Sequence, residues 1–171
     1  MGLLLRIGQS RLYWSLMIIS GLGLEGVALY YQYALNQYPC VLCIHVRIWV
    51  LAFVLIGALG LVLQRWKLGL VLASLLSLAA SVGLLERSWQ TLATERGWLE
   101  GSCSMLSGLP SWFALDRWFP VLFEVQASCG YTPEILFGIT MAEALMAIAV
   151  IALAVTALVS IAALVSRPAT V

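Results

Sequence analysis

Charge is scarce in this 171-residue chain: nine Lys or Arg and eight Asp or Glu make up only 10% of it, against about 25% in an ordinary soluble domain. A chain that is 63% hydrophobic, with a mean hydropathy of +1.01, has too little polar surface to cover a water-facing exterior. It therefore reads as an integral membrane protein, one domain spanning 1–171. Histidine is almost absent, with His45 the only one. No repeat or low-complexity segment is visible. No short apolar core followed by a small-x-small cleavage site opens the chain, so the first span is expected to be retained. Arg6 stands where myristoylation wants Ser or Thr. No nucleic-acid partner is expected.

What the chain does have is apolar length. Four runs can cover a bilayer, which needs about 20 residues: about 12–35, interrupted by Glu25; 41–63, interrupted by Arg47; 68–85, free of charge; and 141–165. Each is expected to be a helix, because hydrocarbon offers no partner for open backbone groups. Short connections after the first and second spans force antiparallel neighbours. The fold expected is an all-α four-transmembrane-helix bundle.

The positive charges orient it. Arg6, Arg11, Arg65, Lys67 and Arg167 fall on one side with no acidic residue among them. The other side mixes Arg87, Arg96 and Arg117 with Glu86, Glu95, Glu100, Asp116, Glu124 and Glu134. The positive-inside rule puts both termini in the cytoplasm, and all four cysteines then face the oxidising, outer compartment. The outer loop, about 86–140, is far longer than a bundle connection needs and is rich in Trp and Phe. Within 110–125, Trp112, Leu115, Phe119 and Leu122 recur at helical spacing with Asp116 and Arg117 opposite. This predicts a short amphipathic helix lying flat in the headgroup layer, serving as an aromatic anchor, a docking element, or both.

Chemistry concentrates at Pro39-Cys40-Val41-Leu42-Cys43-Ile44-His45-Val46-Arg47. Pro39 suits a helix start, which places Cys43 in or near the first turn, where orphan N–H groups and the macrodipole favour a thiolate. Arg47 follows four residues on, on the same helical face. An arginine roughly 12 Å into the span snorkels, pairs, or meets an anionic ligand, and is a functional candidate by default. Metal binding is the rival for a Cys-x-x-Cys pair. Cys103 and Cys129, however, lie 26 apart and supply no second short-spaced pair, and Ile44 interrupts the Cys-x-x-Cys-His of a c-type haem site. No metal is expected. His45 points about 200° away from Cys43 on a helix and is given no catalytic role. Cys103 and Cys129 form either a structural disulfide or the water-side half of an electron relay, which needs one pair to reach Cys40 or Cys43 through a mixed disulfide. Thr140-x-x-Glu143 reads as a capping box. Glu25 has no such reading; at a depth comparable to that of Arg47 it is expected to pair with it across the first two spans, with proton handling as the further option.

Taken together, Leu24-Glu25 in the first span, Pro39 to Ile44 with Arg47, and Leu115-Asp116-Arg117-Trp118-Phe119-Pro120 between Cys103 and Cys129 resemble the DsbB family, bacterial inner-membrane oxidases that regenerate the periplasmic dithiol oxidase DsbA. The resemblance covers nearly the whole chain. It implies that Cys103 and Cys129 oxidise a DsbA-like partner, that electrons pass to Cys40 and Cys43, and that Cys43 delivers them to a bound ubiquinone or menaquinone supported by Arg47. The chain departs from better-known members in carrying His45-Val46 before the arginine. It also carries Arg87-Ser88-Trp89 where some members place a histidine at the outer end of the third helix. Two other functions fit the cysteines: a thiol–quinone relay of the vitamin K epoxide reductase kind, and a non-enzymatic membrane assembly protein stapled by structural disulfides.

Overall fold

The computed structural model describes residues 10–99, 106–136 and 138–165. Four long helices dominate: α1 (Arg11–Ala34), α2 (Val41–Leu63), α3 (Lys67–Glu95) and, after the outer segment, α6 (Met141–Val165). All four are long and apolar enough to cross a membrane. Between α3 and α6 lie a 3-10 turn (Ser111–Phe113), the one-turn helices α4 (Leu115–Trp118) and α5 (Pro120–Phe123), and a small antiparallel hairpin of β1 (Glu134–Leu136) and β2 (Ile139–Thr140). In the bundle α1 packs on α2, α2 on α3, and α3 on α6. The all-α four-helix membrane bundle expected from hydropathy is the fold observed.

The bundle is organised inside out. Large apolar side chains such as Leu12, Ile19, Leu55, Val62, Leu68 and Ile151 face outward, where lipid tails solvate them as well as a protein interior would. The helix contacts combine large apolar side chains such as Trp14, Val50, Phe53 and Leu84 with small and hydroxyl residues, the usual membrane solution because they let backbones approach. Gly60 lies against the ring of Trp14 and Gly83 against the ring of Trp49, and a Cβ at either would run into the indole. A Cβ on Gly21 would sit 2.7 Å from Val54 Cγ2. Between α3 and α6, the hydroxyls of Ser81 and Thr156 meet at 2.9 Å, and Ser160 Oγ donates to the Ser74 carbonyl at 2.9 Å.

Two expectations for the outer segment need correction. The loop does not begin at residue 86, because α3 continues to Glu95. The third apolar run ends at Leu85 where Glu86 and Arg87 follow, whereas the helix stops only where Gly97 takes a positive φ of 70°. At 29 residues α3 is about 44 Å long, against about 30 Å of hydrocarbon, so its last turns project outward. They are held by Arg87 Nη1 donating to Gln90 at 2.9 Å and Gln90 to Glu86 at 3.2 Å. The second correction concerns 110–125, expected as one amphipathic helix and observed as three short turns. Pro120 restricts the residue before it, Phe119 sits at φ −134°, ψ 65°, and the helix restarts with Pro120 in its first position. The inward side chains are Ala114 and Phe123, while Trp112, Trp118, Phe119 and Val121 are exposed. The hairpin had no sequence signal strong enough to expect it. It is tied to α3 through Glu95 Oε2, which accepts from Thr132 Oγ1 at 2.7 Å and Thr140 Oγ1 at 3.2 Å.

Candidate functional site

The extended backbone at Cys40 (φ −84°, ψ 171°) makes this residue the N-cap of α2, and its sulfur accepts a hydrogen bond from the Cys43 amide at 3.3 Å. Cys43 is thus the third residue of the helix. The two sulfurs lie 2.8 Å apart, both cysteines are free, Cys40 is buried and Cys43 half-buried. The hydrogen bond with Cys43, together with burial, pushes the Cys40 thiol up. Sequence and geometry agree here because Cys-x-x-Cys at a helix start puts the first sulfur over the amide of the second, as a Ser or Asp cap would be.

The outer segment is pinned directly above this turn. The Pro39 carbonyl accepts from the amides of Gln126 (3.0 Å) and Ala127 (3.2 Å). That brings half-buried Cys129 within electrostatic range of Cys43. Cys103, the other cysteine of the outer segment, lies outside the described residues. His45 faces away from the cleft described below and fastens the same segment elsewhere: its Nε2 lies 2.9 Å from the Ser107 carbonyl, and Ser107 Oγ donates to Asp116 at 2.7 Å.

Arg47 is buried, 6% exposed, one turn inside Cys43. Its Nη1 donates to Gln32 Oε1 at 2.7 Å and to the Leu122 carbonyl at 2.9 Å, and its Nη2 donates to the Ala28 carbonyl at 3.2 Å. The expected Glu25–Arg47 ion pair is not made. The one salt bridge among the described residues joins Arg96 to Glu143. Glu25 lies within electrostatic range of Arg47, but its Oε1 is buried without a hydrogen-bond partner. Neutral carbonyl and amide oxygens have taken three of the guanidinium's five N–H groups in place of the carboxylate. Gln32, 3% exposed, is the residue that sequence reading missed. Its signal was present: an amide inside an apolar span, seven residues after Glu25 and so on the same helical face.

A narrow cleft of about 120 Å³ opens between α1, α2 and α6, smaller than the roughly 300–1,000 Å³ of a drug-sized ligand site. Glu25, Cys43 and Arg47 line it, its remaining walls are largely apolar (Leu24, Val50, Leu145, Ile148), and Tyr131 to Pro133 form its outer rim. Glu143 takes no part in it. As expected of a capping box, its amide donates to Thr140 Oγ1 at 3.3 Å and its carboxylate accepts from the Thr140 amide at 3.1 Å.

A cysteine pair at a helix start, an arginine one turn deeper and an apolar cleft lined by Cys43 and Arg47 are matched by kinship in sequence. The sequence model of the disulfide bond formation protein DsbB matches residues 10–159. Disulfide bond formation protein B 2 of Pseudomonas aeruginosa is 36% identical over 159 residues, covering 92% of this chain and 94% of that protein. Disulfide bond formation protein B of Shewanella loihica is 35% identical over 150 residues, 84% of each chain. Its Haemophilus influenzae counterpart is 30% identical over 151 residues, 86% of this chain and 84% of that one. Fold, cysteine geometry and sequence therefore agree that the chain belongs to the DsbB family of disulfide bond formation proteins.

Proposed function

We propose that this protein is the inner-membrane thiol oxidase that reoxidises a periplasmic DsbA-like dithiol protein and passes the electrons to a membrane quinone. The observation that carries this reading is the shared cleft: Cys43, touching Cys40 on one side, opens on the other into an apolar chamber that also holds Arg47. The chemistry of the cleft lining suits a quinone, ubiquinone or menaquinone, whose ring would have to widen the narrow space seen here. The cleft walls match an apolar ring and tail, and the bonds to Gln32, Leu122 and Ala28 engage three of the five guanidinium N–H groups of Arg47, leaving two for a ring oxygen. Cys43 and Arg47 would hold the ring, with Glu25 on the same wall. A quinone bound there supplies a two-electron, two-proton acceptor.

In this reading the partner's thiolate attacks a Cys103–Cys129 disulfide. The partner leaves with its own disulfide, and two electrons remain on the outer pair as thiols. A thiolate of that pair then attacks the Cys40–Cys43 disulfide through a mixed disulfide, restoring Cys103–Cys129 and reducing the inner pair. The reduced Cys40 and Cys43 sulfurs stay in contact, and Cys43, on the cleft side, presents the two electrons there, the Cys40–Cys43 disulfide re-forming as they leave. Placing both termini in the cytoplasm and all four cysteines in the periplasm follows from the arginine and lysine distribution.

Stopped-flow oxidation of a reduced DsbA-like partner by the purified protein with added ubiquinone-1 tests the reading. Cys40→Ala and Cys43→Ala are each expected to fold and to leave the partner reduced. Variants that lose stability but still oxidise the partner would assign the cysteines to stapling instead.

A further inference from the structure

Gln32 stands between two things the mechanism must keep in step. Its Oε1 accepts from Arg47 Nη1 at 2.7 Å, on the wall of the acceptor cleft, and its Nε2 donates to Gln126 Oε1 at 3.3 Å, in the segment that carries Cys129. The same Arg47 nitrogen donates to the Leu122 carbonyl of that segment. Tyr33, the next residue of α1, donates its hydroxyl to the Val121 carbonyl. Segment 121–127 is thus docked on α1 and α2 through Val121, Leu122, Gln126 and Ala127, and two of those contacts run to the Arg47–Gln32 pair.

We infer that Gln32 is a positioning residue that makes the aim of Arg47 depend on the docking of segment 121–127. The inference rests on the proposed thiol oxidase reading. With the segment docked, Gln32 is fixed at both ends of its amide and Arg47, which lines the cleft, is held on three oxygens. When the segment lifts to bring its cysteines to a partner, Arg47 loses the Leu122 carbonyl and Gln32 loses Gln126. The guanidinium then has one carbonyl and one unrestrained amide left, and the acceptor site slackens. Full affinity for the acceptor is in this way confined to the state in which Cys129 has returned above Cys43, when there are electrons to hand over.

The coupling is measurable without touching a cysteine. Gln126 is exposed, so Gln126→Met removes one end of the link and leaves the cleft walls intact. The experiment compares the wild type, Gln126→Met, Gln32→Met and the double variant in steady-state oxidation of a reduced DsbA-like partner, varying ubiquinone-1 and partner separately. For Gln32→Met, a rise of about tenfold in the KM for ubiquinone-1 is expected, the scale of one hydrogen bond to a charged group. For Gln126→Met the rise is expected to be smaller, about threefold, as for a neutral hydrogen bond. The KM for the partner should stay within about twofold, and the double variant should be no worse than Gln32→Met, because the two residues act through one link. Unchanged ubiquinone KM values, or effects of the two substitutions that multiply, overturn the inference while the wild type still oxidises the partner. A wild type that shows no ubiquinone-dependent oxidation overturns the proposed function and the inference with it. If Gln32→Met does not fold, Gln126→Met alone decides: a raised KM for ubiquinone-1 with an unchanged one for the partner supports the link, and no change overturns it.

Discussion

At the scale of single residues, the site is built from groups that would be expensive if left alone. Arg47 in the span is tolerated because three oxygens receive its donors. Lysine cannot replace it, since an ammonium presents no planar fork. Arg47→Lys is expected to fold and to raise the KM for ubiquinone-1 about tenfold or more, by loss of one or two charge-assisted hydrogen bonds, while oxidation of the partner by the outer cysteine pair in a single turnover without quinone stays intact. Glu25 is the opposite case, a buried carboxyl oxygen with no partner, and unsatisfied buried polar groups destabilise. Glu25→Met should therefore raise the thermal midpoint in detergent, and both Glu25→Met and Glu25→Gln should lower turnover. Turnover equal to the wild type would remove Glu25 from the mechanism and leave it a structural cost without a role.

At the scale of elements, the cleft exists because α1 and α6 lean on α2 and α3 without closing on each other, and glycines set how close the leaning helices come. Gly60 on α2 meets the fully buried ring of Trp14 on α1, whereas a Cβ added to Gly23, also on α1, would meet nothing within 4 Å. Thermal unfolding in detergent should separate them. Gly60→Ala is expected to cost about 1–3 kcal/mol by overpacking. Gly23→Ala is expected to be neutral or stabilising by up to about 1 kcal/mol, from helix propensity. Equal midpoints for the two would mean that the α1–α2 contact is looser than the structure shows. The outward reach of α3 belongs to this scale too. Its last turns carry Glu95, which receives the hairpin, and just beyond them Arg96 pairs with Glu143 at the start of α6. One helix thereby fixes both the rim of the cleft and the helix behind it.

For the whole molecule, the decisive property is which end faces which compartment. The described cationic residues Arg11, Arg65 and Lys67 lie at the end of the bundle opposite the cysteines. A C-terminal fusion to green fluorescent protein should fluoresce, and one to alkaline phosphatase should be inactive, because only the former matures in the cytoplasm. The reverse pattern would put the cysteines in a reducing compartment and end the thiol oxidase reading.

The amino-acid sequence by itself determined the number of membrane-spanning helices, the membrane class, the thiol pair at a helix start and the capping box at Thr140 and Glu143. Each of these follows from local pattern: apolar length, one residue at an N-cap, a three-residue spacing. Tertiary structure alone decided where helices end outside the bilayer, since hydropathy measures membrane thickness and not helix length, as α3 shows by running on from Leu85 to Glu95. It alone decided the partner of Arg47, because the choice between Glu25 and the oxygens of Gln32, Ala28 and Leu122 depends on side chains and carbonyls from separate segments meeting at one guanidinium. No spacing along a single chain encodes that meeting.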